Sequence, residues 1–326
     1  MTISGSRWGI ALSGLLVTGG CAMGQSVMLV SEPVVDVRGK PRTSARPNVH
    51  DPLQETQLLY GERVRRVKTL DGWTSIEALE QPEYSHAKRW VGYPGWVPEQ
   101  SLVPVPEAWA PTIIVTEKWA PTWQDAHLLH PAAHRFPLGT MLKGIDMGGQ
   151  VWQVELLDGS FVWMRASDAR SFKDLSALSV EDRRQLIVRA AEQFLGDPYY
   201  WGGRSPHAAA AAPSTVTGVD CSGLVNLAYR IAGLSIPRDA HEQFLRAQPV
   251  EALRPADLLF LSERSNPERV VHVMLYAGGD TFIEGPGTGQ RVRRIAASQR
   301  LGQPLSAVAS GTVVDGQTIF FGTYLP

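Results

Sequence analysis

Asp220-Cys221-Ser222-Gly223-Leu224-Val225-Asn226-Leu227-Ala228-Tyr229-Arg230-Ile231 is the stretch on which the fold of this chain turns. Leu224, Val225, Leu227, Ala228 and Ile231 return at helical spacing, which predicts a helix over 220–234 with Cys221 in its first turn, where a loop gives way to the helix. The thiolate is the nucleophilic form of cysteine, and the amides at a helix N-terminus favour negative charge. The same amides suit an oxyanion formed when sulfur attacks a carbonyl. A lone cysteine is more often a small buried hydrophobe, but this placement favours a nucleophile.

Working outward, Val270-Val271-His272-Val273-Met274-Leu275-Tyr276 puts one histidine inside an apolar strand, where an unpaired imidazole is costly to bury. A hydrogen-bonded core histidine is the plainer reading of His272 alone; beside a cysteine at a helix start, a general base is the better one. Upstream, Leu186, Ile187, Ala190, Ala191, Phe194 and Leu195 mark one face of a helix, with a capping box at Ser179 and Asp182 and a stop at Gly196 and Pro198. Strands are expected at 257–262, 270–277, 281–284 and 318–324. Helices followed by a run of strands predict an α+β domain with an antiparallel sheet. Ala208 to Ala212 reads as a surface loop.

Four pieces in order, Pro198-Tyr199-Tyr200-Trp201-Gly202-Gly203, Asp220-Cys221-Ser222-Gly223-Leu224, Ile236-Pro237-Arg238-Asp239 and His272-Val273-Met274-Leu275-Tyr276, resemble the NlpC-type cysteine peptidases of papain-like fold. Each piece alone is weak, and their joint occurrence is specific. The resemblance covers 179–326. It implies that Cys221 attacks, that His272 takes and returns the proton, and that a third polar group orients the imidazole. By spacing on the next strand that group is Glu284, where the commonest family pattern has a second histidine. A carboxylate can accept the imidazole N–H and stabilise imidazolium; the alternative is a solvent-exposed Glu284, since Gly285-Pro286-Gly287 bends the chain directly after it.

The N-terminal side holds two loosely repeated series. Leu59-Tyr60-Gly61-Glu62, Asp71-Gly72-Trp73-Thr74-Ser75-Ile76 and Gly92-Tyr93-Pro94-Gly95-Trp96-Val97 form the first. Pro137-Leu138-Gly139-Thr140, Gly149-Gln150-Val151-Trp152-Gln153-Val154 and Gly159-Ser160-Phe161-Val162-Trp163-Met164 form the second. Short alternating strands between Gly, Asp and Pro turns are how small barrels read. The tryptophan-bearing endings resemble bacterial SH3-type domains, with proline-rich 103–106 and 110–111 as the linker between them. The expected organisation is a signal over 1–24, SH3-type β-barrels over 25–108 and 109–174, and the papain-like domain over 175–326.

With two preceding SH3-type domains, the chain is similar to the γ-D-glutamyl-L-diamino acid endopeptidases. Such enzymes hydrolyse the amide between D-γ-glutamate and the diamino acid in peptides beginning with a free L-alanine. For substrate binding the resemblance implies Tyr199 beside the nucleophile, Asp220 facing the free amine through a charge-assisted hydrogen bond, and Ser222 on the peptide backbone. Tyr93 and Glu55 are the candidates from the first SH3-type domain; the plainer reading makes both ordinary surface residues. Trp73, Trp96 and Trp201 read as packing.

Length and charge agree with an exported, multidomain protein. The 326 residues exceed one ordinary core, and 31 basic against 32 acidic residues leave no field that would draw nucleic acid. Arg7 followed by the apolar run from Trp8 to Val17 reads as an export signal. Thr18-Gly19-Gly20-Cys21 resembles a lipoprotein processing site, which would give a lipid anchor through Cys21; Ala22-Met23-Gly24 resembles an ordinary cleavage site. Either route leaves Cys221 as the one remaining thiol of the two cysteines. The expected location is the cell envelope, and the expected partners are peptidoglycan stem peptides or muropeptides. The remaining histidines show no ligand spacing, so no metal or cofactor is expected. Arg291, Arg293 and Arg294 read as a solvated strand edge. Two rival readings are a non-catalytic wall-binding protein and an acyltransferase that uses the same Cys and His.

Overall fold

The two glycine-punctuated series each fold into a seven-stranded antiparallel sheet, and the strands follow one another across both sheets in the same order. In chain order the first sheet has Val27–Val30, Val34–Arg38, Gln54–Leu59, Arg63–Leu70, Trp73–Glu83, Val91–Pro98 and Leu102–Pro104. The second has Ile113–Val115, Trp119–Trp123, Pro131–Pro137, Met141–Met147, Val151–Glu155, Phe161–Arg165 and Ala169–Ser171. Each runs third, second, sixth, fifth, fourth, first, seventh. A single 3-10 turn, Glu99–Ser101 in one and Ala166–Asp168 in the other, precedes the last strand. The repeat seen in the sequence is thus a repeat of topology. Each sheet encloses its own core, built on Val35, Val37, Leu58, Val64 and Ile76 in the first and on Ile113, Phe136, Leu142, Val154 and Met164 in the second.

The computed structural model describes residues 26–44, 50–208 and 216–326. The expected export signal, Cys21 and its lipid anchor lie outside them, as do residues 209–215 of the alanine-rich segment. The linker begins later than its prolines suggest, because Val103 and Pro104 pair with Leu29 and Met28 in the last strand of the first sheet. A proline at a strand end removes no hydrogen bond that the sheet needs.

The third unit begins with the helix Val180–Glu192. Ser179 Oγ accepts from Asp182 N at 3.1 Å and donates to the Asp182 carboxylate at 2.6 Å, the expected reciprocal cap. The second helix, Cys221–Arg230, closes at Arg230 rather than Leu234. Gly233 takes a φ of +76° and Leu234 N turns back to Tyr229 O, a glycine-ended stop that helical periodicity alone does not reveal. Short helices at Phe172–Ser176, Ala240–Arg246 and Ala297–Leu301 add to those read from the sequence.

The antiparallel sheet runs Gln248–Pro249, Gln317–Thr323, Leu258–Ser262, Val270–Gly278, Thr281–Glu284, Arg293–Ala296. Strand periodicity divides its side chains. Leu258, Phe260, Val273, Leu275 and Ile283 join the two long helices in one core, while Leu259, Leu261, Met274 and Phe282 face Ala297 and Leu301 in another. Both faces being covered explains why Leu258–Ser262 is buried throughout. The papain-like α+β arrangement with its antiparallel sheet is therefore present.

The first unit docks on the third through Leu59, which joins the core of the two long helices, and through buried charged side chains. Arg204 pairs with Glu62 at 2.8 Å, Arg230 with Glu80 at 2.7 Å, and Arg238 Nε donates to Thr56 Oγ1 at 2.7 Å. All three arginines are buried. Their guanidinium groups require those acceptors, since an unpaired buried charge costs several kcal/mol.

Candidate active site

Cys221 lies at the first turn of its helix because Asp220 caps it: Asp220 Oδ1 accepts from Gly223 N at 2.7 Å. The preceding loop passes close over that helix start, and only glycine permits it. A Cβ on Gly223 would lie 2.2 Å from Gly203 O, and Gly202 sits at a φ of +68° with its N–H on Asp220 Oδ2 at 3.0 Å. The thiol is 8 % exposed and is the free cysteine among the described residues.

His272 reaches the helix from the strand Val270–Gly278. Pairing with the neighbouring strand shifts between Leu261↔His272 and Ser262↔Val270, which leaves Val271 as the extra residue of a bulge directly before the histidine. Bulges turn the side chains beside them, and this one adjoins the imidazole. His272 Nε2 lies 2.8 Å from Glu284 Oε2, and Cys221 lies close enough to the ring to act on its protonation. With Nε2 facing the carboxylate, Nδ1 is the nitrogen left for the sulfur. Burial disfavours the charged ring, but hydrogen bonds to Cys221 and Glu284, with their charges, outweigh it and raise the pKa of His272 to about 9.

Glu284 is fully buried, not turned to solvent by the Gly-Pro-Gly bend that follows. Burial pushes its pKa up; the hydrogen bond and charge of His272, together with Arg293 and Arg300, pull it down to about 2. Arg293 stays on the solvated edge strand, 42 % exposed, while its Nε and Nη2 both donate to Glu284 Oε1. Arg294 instead pairs with Glu192, and Arg291 Nη1 donates to Gly196 O. A buried carboxylate takes its donors from the nearest cations, an effect that strand alternation does not encode.

Tyr199 lies beside Cys221: burial and the charges of Cys221 and Asp220 raise its pKa. Ser222 is buried, with its hydroxyl donating to Asp220 and accepting from Arg238 at 3.0 Å. Asp220, expected to face a substrate amine, already has donors within the protein. Its oxygens accept from Gly223 N, Gly202 N, Ser222 Oγ and both terminal nitrogens of Arg238, at 3.0 and 2.8 Å. A carboxylate offers about four lone-pair positions, so this one is filled from inside the protein.

Tyr93 meets a residue given no role from sequence, Asp239, although it belongs to the quoted Ile236-Pro237-Arg238-Asp239 motif. Tyr93 Oη donates to Asp239 Oδ2 at 3.1 Å, across 146 positions of chain. The Asp239 side chain is 39 % exposed, where that of Arg238 behind it is fully buried. Burial raises the Asp239 pKa to about 6 against the pull of Arg238, with Asp220 and Glu242 adding to the rise. Burial likewise raises Glu55 against His86 and Arg238. Trp201 departs from its packing assignment, lying 48 % exposed with its ring 5.4 Å from that of His50.

Residues 196–308 match the NlpC/P60 family model. Over 250 residues the chain is 28 % identical to a γ-D-glutamyl-L-lysine dipeptidyl-peptidase of Bacillus cereus, covering 74 % of this chain and 70 % of the relative. Its Bacillus subtilis namesake is also 28 % identical, over 265 residues, covering 77 % and 78 %. Murein DD-endopeptidase MepH of Escherichia coli is 35 % identical over 131 residues, covering 39 % of this chain and 45 % of that one. The crystal structure of an NlpC/P60 family protein from Bacillus cereus superposes with a TM-score of 0.69 at 23 % identity, covering 92 % of this chain and all of the other, which shows a shared fold.

Proposed function

We propose that this chain, whose residues 196–308 form an NlpC/P60 domain, is a cysteine peptidase of the cell envelope that cleaves peptidoglycan stem peptides at the bond between D-γ-glutamate and the diamino acid. The observation that carries the reading is His272 held between the Cys221 thiol and the buried Glu284 carboxylate. The similarity to γ-D-glutamyl-L-lysine dipeptidyl-peptidases, over 74 % and 77 % of this chain, supports the bond assignment.

In this reading Cys221 transfers its proton to His272, and the sulfur attacks the γ-glutamyl carbonyl. The first amides of the helix, which have no intrahelical acceptor, receive the oxyanion. Imidazolium then protonates the leaving amine, the C–N bond breaks and a thioester remains. Water, deprotonated by His272, attacks the thioester; the C–S bond breaks, and the proton returns to sulfur as the acid leaves. Glu284 keeps the ring in one tautomer and stabilises imidazolium.

Recognition of a free N-terminal L-alanine falls to Asp239, Tyr93 and Glu55, because the oxygens of Asp220 are occupied while the Asp239 side chain is partly open. Tyr199 and Ser222 line the nucleophile's end of the same cleft. The two N-terminal sheets are SH3-type barrels over 25–108 and 109–174, a reading supported by their shared strand order and the 3-10 turn before each last strand. The first is part of the catalytic unit, since it supplies Tyr93 and Glu55 and binds Arg238 through Thr56.

Incubating the protein with L-Ala-γ-D-Glu-diaminopimelate and following free diaminopimelate by mass spectrometry tests the reading. Wild type releases it and Cys221→Ala does not. Turnover retained by the variant refutes the nucleophile, and N-acetylation of the peptide that leaves the rate unchanged refutes the amine site.

A further inference from the structure

Glu284 does more than meet His272, because three side chains from three directions converge on its two buried oxygens. Arg293 stands opposite it in the antiparallel pairing Glu284↔Arg293 and donates to Oε1 from Nε at 3.0 Å and Nη2 at 2.7 Å. Arg300, from the helix Ala297–Leu301, donates to Oε2 from Nε at 3.2 Å. Oε2 is the oxygen 2.8 Å from His272 Nε2. One oxygen is thus held by Arg293, and the other is shared between Arg300 and the imidazole.

We propose that Arg293 and Arg300 are positioning residues of the catalytic relay, clamping the Glu284 carboxylate so that Oε2 stays on His272 and dividing its negative charge between themselves and the imidazolium. This inference rests on the peptidase reading given above.

The physical case has two parts. The first is orientation. The terminal torsion of a glutamate is broad and roughly two-fold, so an unclamped carboxylate would exchange its oxygens and swing off the ring. Two donors on Oε1 remove that freedom. The second is charge. A buried carboxylate with only an imidazolium for company would bind that proton tightly, and a proton held tightly is a poor acid for the leaving amine. His272 already titrates near 9, well above its ordinary value. The charged groups around the relay are Cys221 on the ring from the helix, Glu284 from the next strand, and Arg293 and Arg300 on Glu284. The two arginines hydrogen-bond the Glu284 oxygens directly, so removing either leaves more of the Glu284 field on the ring.

The experiment is the pH profile of kcat/KM on the tripeptide for wild type, Arg293→Gln, Arg300→Gln and Arg293→Lys, together with NMR titration of the His272 imidazole. Arg293→Gln lowers kcat on the order of tenfold, with KM little changed, and moves the alkaline limb and the imidazole titration to higher pH. Arg300→Gln moves both in the same direction by less. Arg293→Lys keeps the charge without the fork, so its kcat falls while its alkaline limb stays near that of wild type. Glutamine variants whose alkaline limb and imidazole titration match wild type overturn the proposal, including when kcat falls through lost stability alone. Should Arg293→Gln fail to fold, Arg300→Gln and Arg293→Lys carry the same comparison. If wild type leaves the tripeptide uncut, the peptidase reading fails, whereas the imidazole titration still decides the clamp: an upward shift in the glutamine variants sustains it and none overturns it.

Discussion

Two buried carboxylates flank the Cys221–His272 pair, and arginine holds both, yet only one has an oxygen directed at the chemistry. Asp220 gives every lone-pair position to the scaffold: the helix cap, the Gly202 loop, Ser222 and the fork of Arg238. Glu284 gives Oε1 to Arg293 and keeps Oε2 against the imidazole. Both look like an acid beside a catalytic residue. The difference shows that a buried carboxylate's role is set by which of its oxygens the fold has already claimed.

Changing both acids tests the contrast most severely. Glu284→Ala should lower kcat by roughly two to four orders of magnitude, the range for losing general acid–base support. Its stability should fall less than that of Asp220→Asn, because the cations left behind, Arg293 and Arg300, are partly exposed and can reach water. Asp220→Asn leaves Arg238 buried and under-compensated, so denaturant unfolding should show a loss of about 3–5 kcal/mol. Equal destabilisation by the two substitutions would erase the distinction drawn here.

A smaller effect separates Asp220 from Asp239. If the amine binds Asp239, then Asp239→Asn should raise KM for the free tripeptide by about tenfold, the equivalent of 1.4 kcal/mol, with kcat nearly unchanged. The N-acetylated peptide should be indifferent to the change. A kcat defect in place of the KM defect would return amine recognition to the nucleophile's end of the cleft.

Acidity supplies the mildest perturbation. With Asp239 raised to about 6, KM for the free tripeptide should climb as pH drops through 6, when the carboxylate loses its charge while the ammonium keeps its own. On the alkaline side, activity should fall as pH rises through about 9, where imidazolium gives up its proton. Stability carries the matching signs. His272 is raised in the folded state, so its contribution is complete below about 6.5 and disappears as pH rises through 9; Glu284 is lowered, so its contribution is present above 4.5 and lost as pH falls towards 2. Denaturant midpoints measured across pH check both.

The features legible in the sequence are those whose cause lies within a few positions of chain. Cys221 at a helix start, the Ser179 cap and the apolar strand expected over 257–262 are local, and the Gly and Pro turns spelled out a repeat that reappears as one strand order used twice. His272 and Glu284 could be placed because hairpin-linked strands keep short spacings. Arg238 could not be assigned, since its partner Thr56 lies 182 positions away. Arg293 was placed on its exposed edge, but its bonds to Glu284 were not foreseen, because alternation describes a strand's faces and not the demand of a buried carboxylate opposite it.

Sequence alone therefore determined the helix that carries Cys221, the strand that carries His272, the α+β class of the last unit and the doubling of the first two, since helix caps, turns and periodicity act over distances that the chain itself sets. Tertiary structure decided which carboxylate serves the imidazole, which serves the helix, and how Tyr93 reaches Asp239. Those choices depend on desolvated charges finding partners across separate units, and neither residue spacing nor composition carries that information.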